Sequence, residues 1–234
     1  MMSLILLLLP TQSEPQKKET LPYDPTSAYR ELHLEGWLIR LNKKLDEPTK
    51  TVLRDQVLKL VGIHLYQITR EVPGLAVTRL KNIPIWIEEN HPKHPCMCYH
   101  TSRDWLRANG MNPEKAGGVE LANCKNFLSW THQQPWMVFH ELAHGYHDQV
   151  LGFNHPGVDA CFQEAKKAKL YDSILRNSGL KVRHYALTNN REYFAEMSEA
   201  YFGTNDFYPF INAELREVDP RMHKLLGELW GMSK

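Results

Sequence analysis

A five-residue pattern near the middle of the chain, His140-Glu141-Leu142-Ala143-His144, constrains the fold more than any other sequence feature. It lies in the segment 135–151, which opens on a proline and is followed by a glycine, as is typical of helices. Residues i and i+4 of a helix lie one above the other, so both imidazoles can reach one ion. The pattern therefore predicts that His140 and His144 bind Zn²⁺ and that Glu141 faces a bound water. Two buried histidines that bind no metal are the alternative.

A second helix, predicted over 190–202, carries acidic residues that would complete such a site. Glu192, Glu196 and Glu199 are four and three residues apart, so they share one stripe of the helix. Aromatic and aliphatic residues surround them, and a buried carboxylate needs a cationic partner. Catalytic zinc usually takes three protein ligands. Two carboxylates four residues apart could divide the roles, with Glu192 on the metal and Glu196 orienting His140 or another ligand by a hydrogen bond.

These two segments resemble a known family of zinc peptidases. The five residues from His140 to His144, called the pentad below, match H-E-x-x-H. This motif followed by E-x-x-x-[DE] is the pattern of gluzincin metallopeptidases. Tyr185, seven residues before Glu192 in E-Y-F-A-E, makes residues 135–205 more closely similar to the catalytic domain of anthrax lethal factor and to the Pro-Pro endopeptidases. The resemblance implies that Glu192 is the third zinc ligand, that the Tyr185 hydroxyl stabilises an oxyanion, and that Glu196 lies beside the ligands. Ala143 stands where the family often has glycine.

The resemblance also implies a fold and an activity. We expect a zincin-like α+β domain, in which a small twisted sheet packs on the pentad helix, with one Zn²⁺ per chain. Glu141 would act as general base toward the zinc-bound water, and the protein would be a metallopeptidase that hydrolyses a polypeptide substrate. The alternative is a non-catalytic binding protein of the same fold, whose structural metal would take a fourth protein ligand such as His147.

Another segment suggests a different third ligand. Gly203-Thr204-Asn205-Asp206-Phe207-Tyr208 is similar to the G-T-x-D-x-x-Y pattern of aspzincins, in which the aspartate binds zinc. The interval between His144 and Asp206 is longer than that family would suggest, and Pro209 replaces the expected glycine. Glu192 is therefore the preferred ligand, and Asp206, Glu196 and Glu199 remain alternatives.

The hydrophobic pattern predicts an α+β domain over residues 28–234, with strands early in the chain and helices later. We expect a substrate peptide to add to an edge strand of the sheet, formed either by 85–87 or by 119–122. The predicted elements are a hairpin over 30–42, strands at 85–87 and 119–122, and helices over 49–70, 75–82, 135–151, 158–177, 190–202 and 219–230.

Composition and charge exclude several other classes of protein. The chain is 42% hydrophobic and 24% charged, unlike a disordered chain or a coiled-coil rod. Its net charge of +1 gives no reason to expect a nucleic-acid partner. The longest apolar run, 4–9, is too short for a transmembrane segment. We interpret residues 1–27 as a signal-like run followed by a flexible leader, which favours a secreted or periplasmic protein over a cytoplasmic one.

Cysteine and histidine residues cluster away from the pentad. Cys96 and Cys98 lie among His91, His94 and His100, and thiolates and imidazoles are good zinc ligands. A second metal site or a metal-buffering function is therefore one interpretation. A proline-rich loop with a nearby disulfide is the other, because an exported protein could pair its four cysteines, the remaining two being Cys124 and Cys161.

Overall fold

A computed structural model describes residues 21–232 of the chain. It is 54% helix and 14% strand, which confirms the α+β class. The strands are β1 (Tyr29–Leu34), β2 (Trp37–Asn42), β3 (Ile85–Ile87), β4 (Met97–Tyr99), β5 (Val119–Leu121), β6 (Ile174–Leu175) and β7 (Lys181–Val182). The α-helices are α1 (Thr51–Glu71), α2 (Gly74–Leu80), α3 (Arg103–Ala108), α4 (Cys124–Trp130), α5 (Met137–Tyr146), α6 (Pro156–Lys167), α7 (Asn190–Phe202), α8 (Asn212–Val218) and α9 (Pro220–Leu229).

The N-terminal hairpin follows the sequence prediction. Leu34 pairs with Trp37, so Glu35 and Gly36 form a two-residue loop. Both have positive φ, 50° and 89°, the conformation that a tight hairpin turn requires. Of the predicted leader, residues 1–20 lie outside the described part of the chain. Residues 21–27 contact the domain through Asp24, whose carboxylate pairs with Lys44 at 2.6 Å.

The main sheet has the order β1-β2-β3-β5-β4. β2, β3 and β5 run parallel, whereas β1 and β4 are antiparallel to their neighbours. The prediction that 85–87 or 119–122 forms an edge is wrong, because β3 and β5 both lie inside the sheet. The edge strand beside β5 is β4, which the sequence pattern did not predict.

Helices cover the sheet and form the core with it. α1 buries a stripe made by Val57, Val61, Leu65 and Ile68, and it packs against α4 and α5. α5 lies against β4, β5 and α7, so the pentad helix sits between the sheet and the second acidic helix. None of the helices that the structure describes has the length and apolar character needed to cross a bilayer.

The predicted helix over 158–177 is too long. α6 ends at Lys167, and Lys169 adopts a left-handed conformation with φ of 55°. That conformation reverses the chain, which then enters the short β6–β7 hairpin instead of continuing as helix. The pentad helix matches its predicted span more closely, because a π-helical turn, His147–Leu151, extends α5 to Gly152.

Candidate metal centre

Two helices bring the predicted ligands together in the lining of one cleft. The Nε2 atoms of His140 and His144 are 3.1 Å apart. Glu192 Oε2 lies 3.1 Å from the Nε2 of His140 and 3.2 Å from that of His144. Donor atoms on a tetrahedral zinc lie about 3.4 Å apart, given bonds of about 2.0–2.2 Å. Two imidazole nitrogens and one carboxylate oxygen in this arrangement could hold a metal ion, and their spacing is close to that of ligands on a tetrahedral ion.

Local sequence signals fix the positions of these side chains. The side chain of Asn189 accepts hydrogen bonds from the backbone N–H groups of Arg191 and Glu192, which starts α7 and places Glu192 in its first turn. At the other end of α7, Gly203 faces the indole of Trp136, the residue that precedes α5. A side chain at position 203 would overlap that indole, so glycine allows the two ligand-bearing helices to approach closely.

A carboxylate orients the first histidine from behind. The Nδ1 atom of His140 is 2.7 Å from Glu199 Oε1 and 3.8 Å from Glu196 Oε1. The sequence prediction gave this orienting position to Glu196, whereas the structure places Glu199 within hydrogen-bond distance and Glu196 beyond it. With Nδ1–H donated to a carboxylate, Nε2 carries the free lone pair that a metal requires.

The electrostatics of the centre favour binding a cation. Burial alone would lower the pKa of His140, but its hydrogen bonds to Glu192 and Glu199 raise that pKa well above the usual value. Burial opposes the ionisation of Glu192, yet hydrogen bonds to His140 and His144 hold its pKa below the usual range. Burial, together with repulsion from Glu199, raises the pKa of Glu196 well above its usual value. The carboxylates that stabilise positive charge on His140 would also stabilise a divalent cation at this position.

Glu141 and Tyr185 line the same cleft, which has a volume of about 620 Å³. The Glu141 carboxylate accepts a 2.8 Å hydrogen bond from the backbone N–H of Tyr99 on β4. This bond fixes the carboxylate beside the edge strand. Tyr185 is 48% exposed and forms part of the cleft lining. Burial, followed by the nearby charge of Glu192, raises the pKa of Tyr185, which keeps the hydroxyl a proton donor.

The other proposed ligands, Asp206 and His147, do not converge with the donor atoms of His140, His144 and Glu192. Asp206 lines the cleft but pairs with Arg176 at 3.0 Å. His147 is fully buried, and its ring packs against Phe194 and Phe153 with centroid distances of 4.6 and 5.2 Å. Neither ring nitrogen of His147 has a hydrogen-bond partner among the described residues, and burial lowers its pKa to about 3. Its ring nitrogens do not converge with the donor atoms of His140, His144 and Glu192.

All four cysteines are free thiols.

Comparison of the chain with protein-family models, with curated proteins and with solved structures gives no match. The functional conclusion therefore rests on the geometry of the site itself.

Proposed function

We propose that the protein is a zinc-dependent metallopeptidase with a zincin-like fold. The observation that carries this proposal is the convergence of His140 Nε2, His144 Nε2 and Glu192 Oε2 within 3.2 Å of one another, in the lining of one cleft. Three protein ligands leave a coordination position free for water or substrate, which is the arrangement of catalytic rather than structural zinc. Bound there, the ion would act as a Lewis acid and lower the pKa of a water molecule to about 7.

Glu141 would serve as the general base. It follows the first histidine directly, so its carboxylate is rotated away from the ligand face and toward the cleft. The N–H of Tyr99 holds the carboxylate in place and leaves lone pairs to accept a proton from the attacking water. Glu141 would then pass this proton to the amine that leaves when the peptide bond breaks.

Tyr185 would stabilise the negative charge that develops on the carbonyl oxygen of the substrate. Its hydroxyl is protonated at neutral pH and lines the cleft that contains Glu192. A hydrogen-bond donor aimed at a developing oxyanion contributes about 2.7–4 kcal/mol to the transition state.

The edge strand offers a place for an extended peptide. The residues that flank β4 are hydrogen-bonded to those that flank β5. The Cys96 carbonyl accepts from the Ala122 N–H, and the His100 N–H donates to the Gly118 carbonyl. Because backbone groups alternate in direction along a strand, those of residues 97 and 99 point away from β5; the Tyr99 N–H is bound by Glu141, which leaves the Met97 groups and the Tyr99 carbonyl for a peptide. Residues 97 and 99 also line the cleft. A polypeptide substrate that added to β4 would therefore pass beside Glu141.

The experiment is cleavage of a degenerate peptide library by the zinc-loaded protein, with Glu141→Ala as the matched variant. We expect the wild type to produce cleavage products, and a chelator to abolish them. We expect Glu141→Ala to bind zinc with unchanged affinity and to produce none. Turnover by Glu141→Ala would remove Glu141 as the base. Zinc binding without turnover by the wild type, over a broad library, would favour the non-catalytic binding protein.

A further inference from the structure

A second group of metal-ligand residues lies around β4, apart from the candidate metal centre. Tyr99 directs its hydroxyl to Asp148, in the π-helical turn that continues α5. Because side chains alternate along a strand, Cys98 points to the opposite face of the sheet. There it lies beside Glu120, its pairing partner on β5. His94 and His100 complete the group, and the four donor atoms lie within 4.8 Å of one another.

The distances within this group suit a tetrahedral ion. Cys98 Sγ is 3.6 Å from His100 Nε2. A sulfur and a nitrogen bound to one tetrahedral zinc lie about 3.6 Å apart, given bonds of about 2.3 and 2.1 Å. The Nε2 of His100 also lies 2.6 Å from Glu120 Oε2, so the two atoms face each other and would separate to about 3.4 Å to bind one ion.

One member of the group lacks a partner. The Nε2 atom of His94 is buried and has no hydrogen-bond partner among the described residues. A buried imidazole nitrogen left unpaired is costly, and a metal ion would satisfy it. The rings of His94 and His100 meet edge to face with centroids 5.4 Å apart, so the two imidazoles already converge.

The charges in this region match a divalent cation. Lys115 binds Glu120 Oε1 at 2.5 Å, and it also pairs with Glu88, so the other oxygen of Glu120, Oε2, is the one that faces His100. The ammonium group of Lys115 beside Glu120 favours the anionic carboxylate, and a thiolate at Cys98 would supply the second negative charge that balances Zn²⁺.

We propose that His94, Cys98, His100 and Glu120 form a second, structural zinc site. Four protein ligands leave no position for water, which distinguishes this site from the proposed catalytic centre. The site differs from the cluster suggested by the sequence. Cys96 is buried beside Met137 instead, with the two sulfurs 3.3 Å apart. The cluster suggested by the sequence did not include Glu120, which is remote from the other ligands along the chain.

The ion would stabilise the edge strand β4 from the face of the sheet that carries Cys98 and Glu120. It would join β4, through Cys98, to β5, through Glu120, and to the loop that carries His94. The same strand donates the Tyr99 N–H to Glu141, so the structural ion would steady the strand that positions the proposed base. The existence of the second site does not depend on peptidase activity.

Cobalt substitution tests this site separately from the first. A thiolate bound to Co²⁺ gives a sulfur-to-cobalt charge-transfer band in the near ultraviolet, and the His140, His144 and Glu192 centre has no thiolate. We expect metal-free protein titrated with Co²⁺ to develop this band. Cys98→Ser should abolish it, and His94→Ala, a loop substitution, should weaken or shift it. The matched control Cys161→Ser, which alters a thiol in α6, should retain it.

Zinc stoichiometry provides the second readout. We expect two zinc ions per chain in the wild type and one in Cys98→Ser, with circular dichroism showing that the variant is folded. His144→Ala should also hold one ion, and with Co²⁺ it should still give the charge-transfer band. Absence of the band from folded wild-type protein, or its persistence in Cys98→Ser, would overturn the proposal whatever the peptidase assay gives.

Discussion

Replacing each of the three glutamates of α7 by glutamine should rank them by their distance from the metal. Glu192 contacts both histidine Nε2 atoms, Glu199 contacts His140 Nδ1 at 2.7 Å, and Glu196 lies 3.8 Å from that atom. Glutamine has nearly the shape of glutamate, so each change removes charge with little change in packing. The order of zinc affinity should therefore be Glu196→Gln, Glu199→Gln and Glu192→Gln, from tightest to weakest.

The magnitudes follow from the role of each carboxylate. Loss of a carboxylate that orients a metal-bound histidine typically weakens metal binding about 10- to 100-fold, or about 1.4–2.7 kcal/mol. We expect Glu199→Gln to fall in this range. Glu192→Gln removes a ligand atom and should exceed it, whereas Glu196→Gln should fall below it, because 3.8 Å is too long for a hydrogen bond.

The assay is zinc titration of metal-free protein against a chromophoric chelator of known affinity. Using the Cys98→Ser background restricts the titration to one centre, and thermal unfolding without metal checks that each variant folds. A larger loss for Glu199→Gln than for Glu192→Gln would refute the ligand assignment. It would place the ion on the other side of His140, where Nδ1 converges with Glu196 and Glu199.

Three further substitutions test the proposed oxyanion donor, the buried ion network and the helix contact. Tyr185→Phe should lower kcat about 100-fold with zinc affinity unchanged; an unaltered rate in a steady-state assay would exclude the hydroxyl from the reaction. Lys115→Met leaves two buried carboxylates without their cation and should cost about 3–5 kcal/mol of unfolding free energy in metal-free protein. Denaturant titration should show less than about 0.5 kcal/mol for the exposed control Lys224→Met, and equal effects would contradict the network. Gly203→Ala should cost about 1–3 kcal/mol and weaken zinc binding, because the helices must separate. Gly62→Ala, in open space on α1, should instead stabilise the protein by about 0.5–1 kcal/mol; wild-type stability of Gly203→Ala would show that the close helix approach is not needed.

Local sequence pattern was sufficient for features that depend on neighbours along the chain. The hairpin turn at Glu35 and Gly36, the long helix α1 and the pentad helix all follow from spacing and end signals. The convergence of Glu192 with the two histidines was expected from the resemblance of E-Y-F-A-E and Tyr185 to the zinc peptidases, and the Asn189 cap places Glu192 in the first turn of α7.

Features that depend on remote pairing could not be predicted in this way. β4 is three residues long and has no alternating hydrophobic pattern, so its strand character comes from pairing with β5. Glu196 and Glu199 lie on one stripe of α7, and only the crossing of α5 and α7 determines which of them reaches His140 Nδ1. Spacing along a single helix cannot supply that angle.

The register of β4 connects the two proposed metal sites. All three residues of Met97-Cys98-Tyr99 border the cleft, but alternation along the strand puts the side chain of Cys98 on the face of Glu120, opposite to that of Tyr99. A slip of one residue against β5 would exchange the two faces, placing Cys98 toward α5 and removing the thiol from Glu120. It would also shift the N–H that binds Glu141. A metal held by both Cys98 and Glu120 can bind in one register only, so the ion behind the sheet would select the strand geometry that the cleft in front requires.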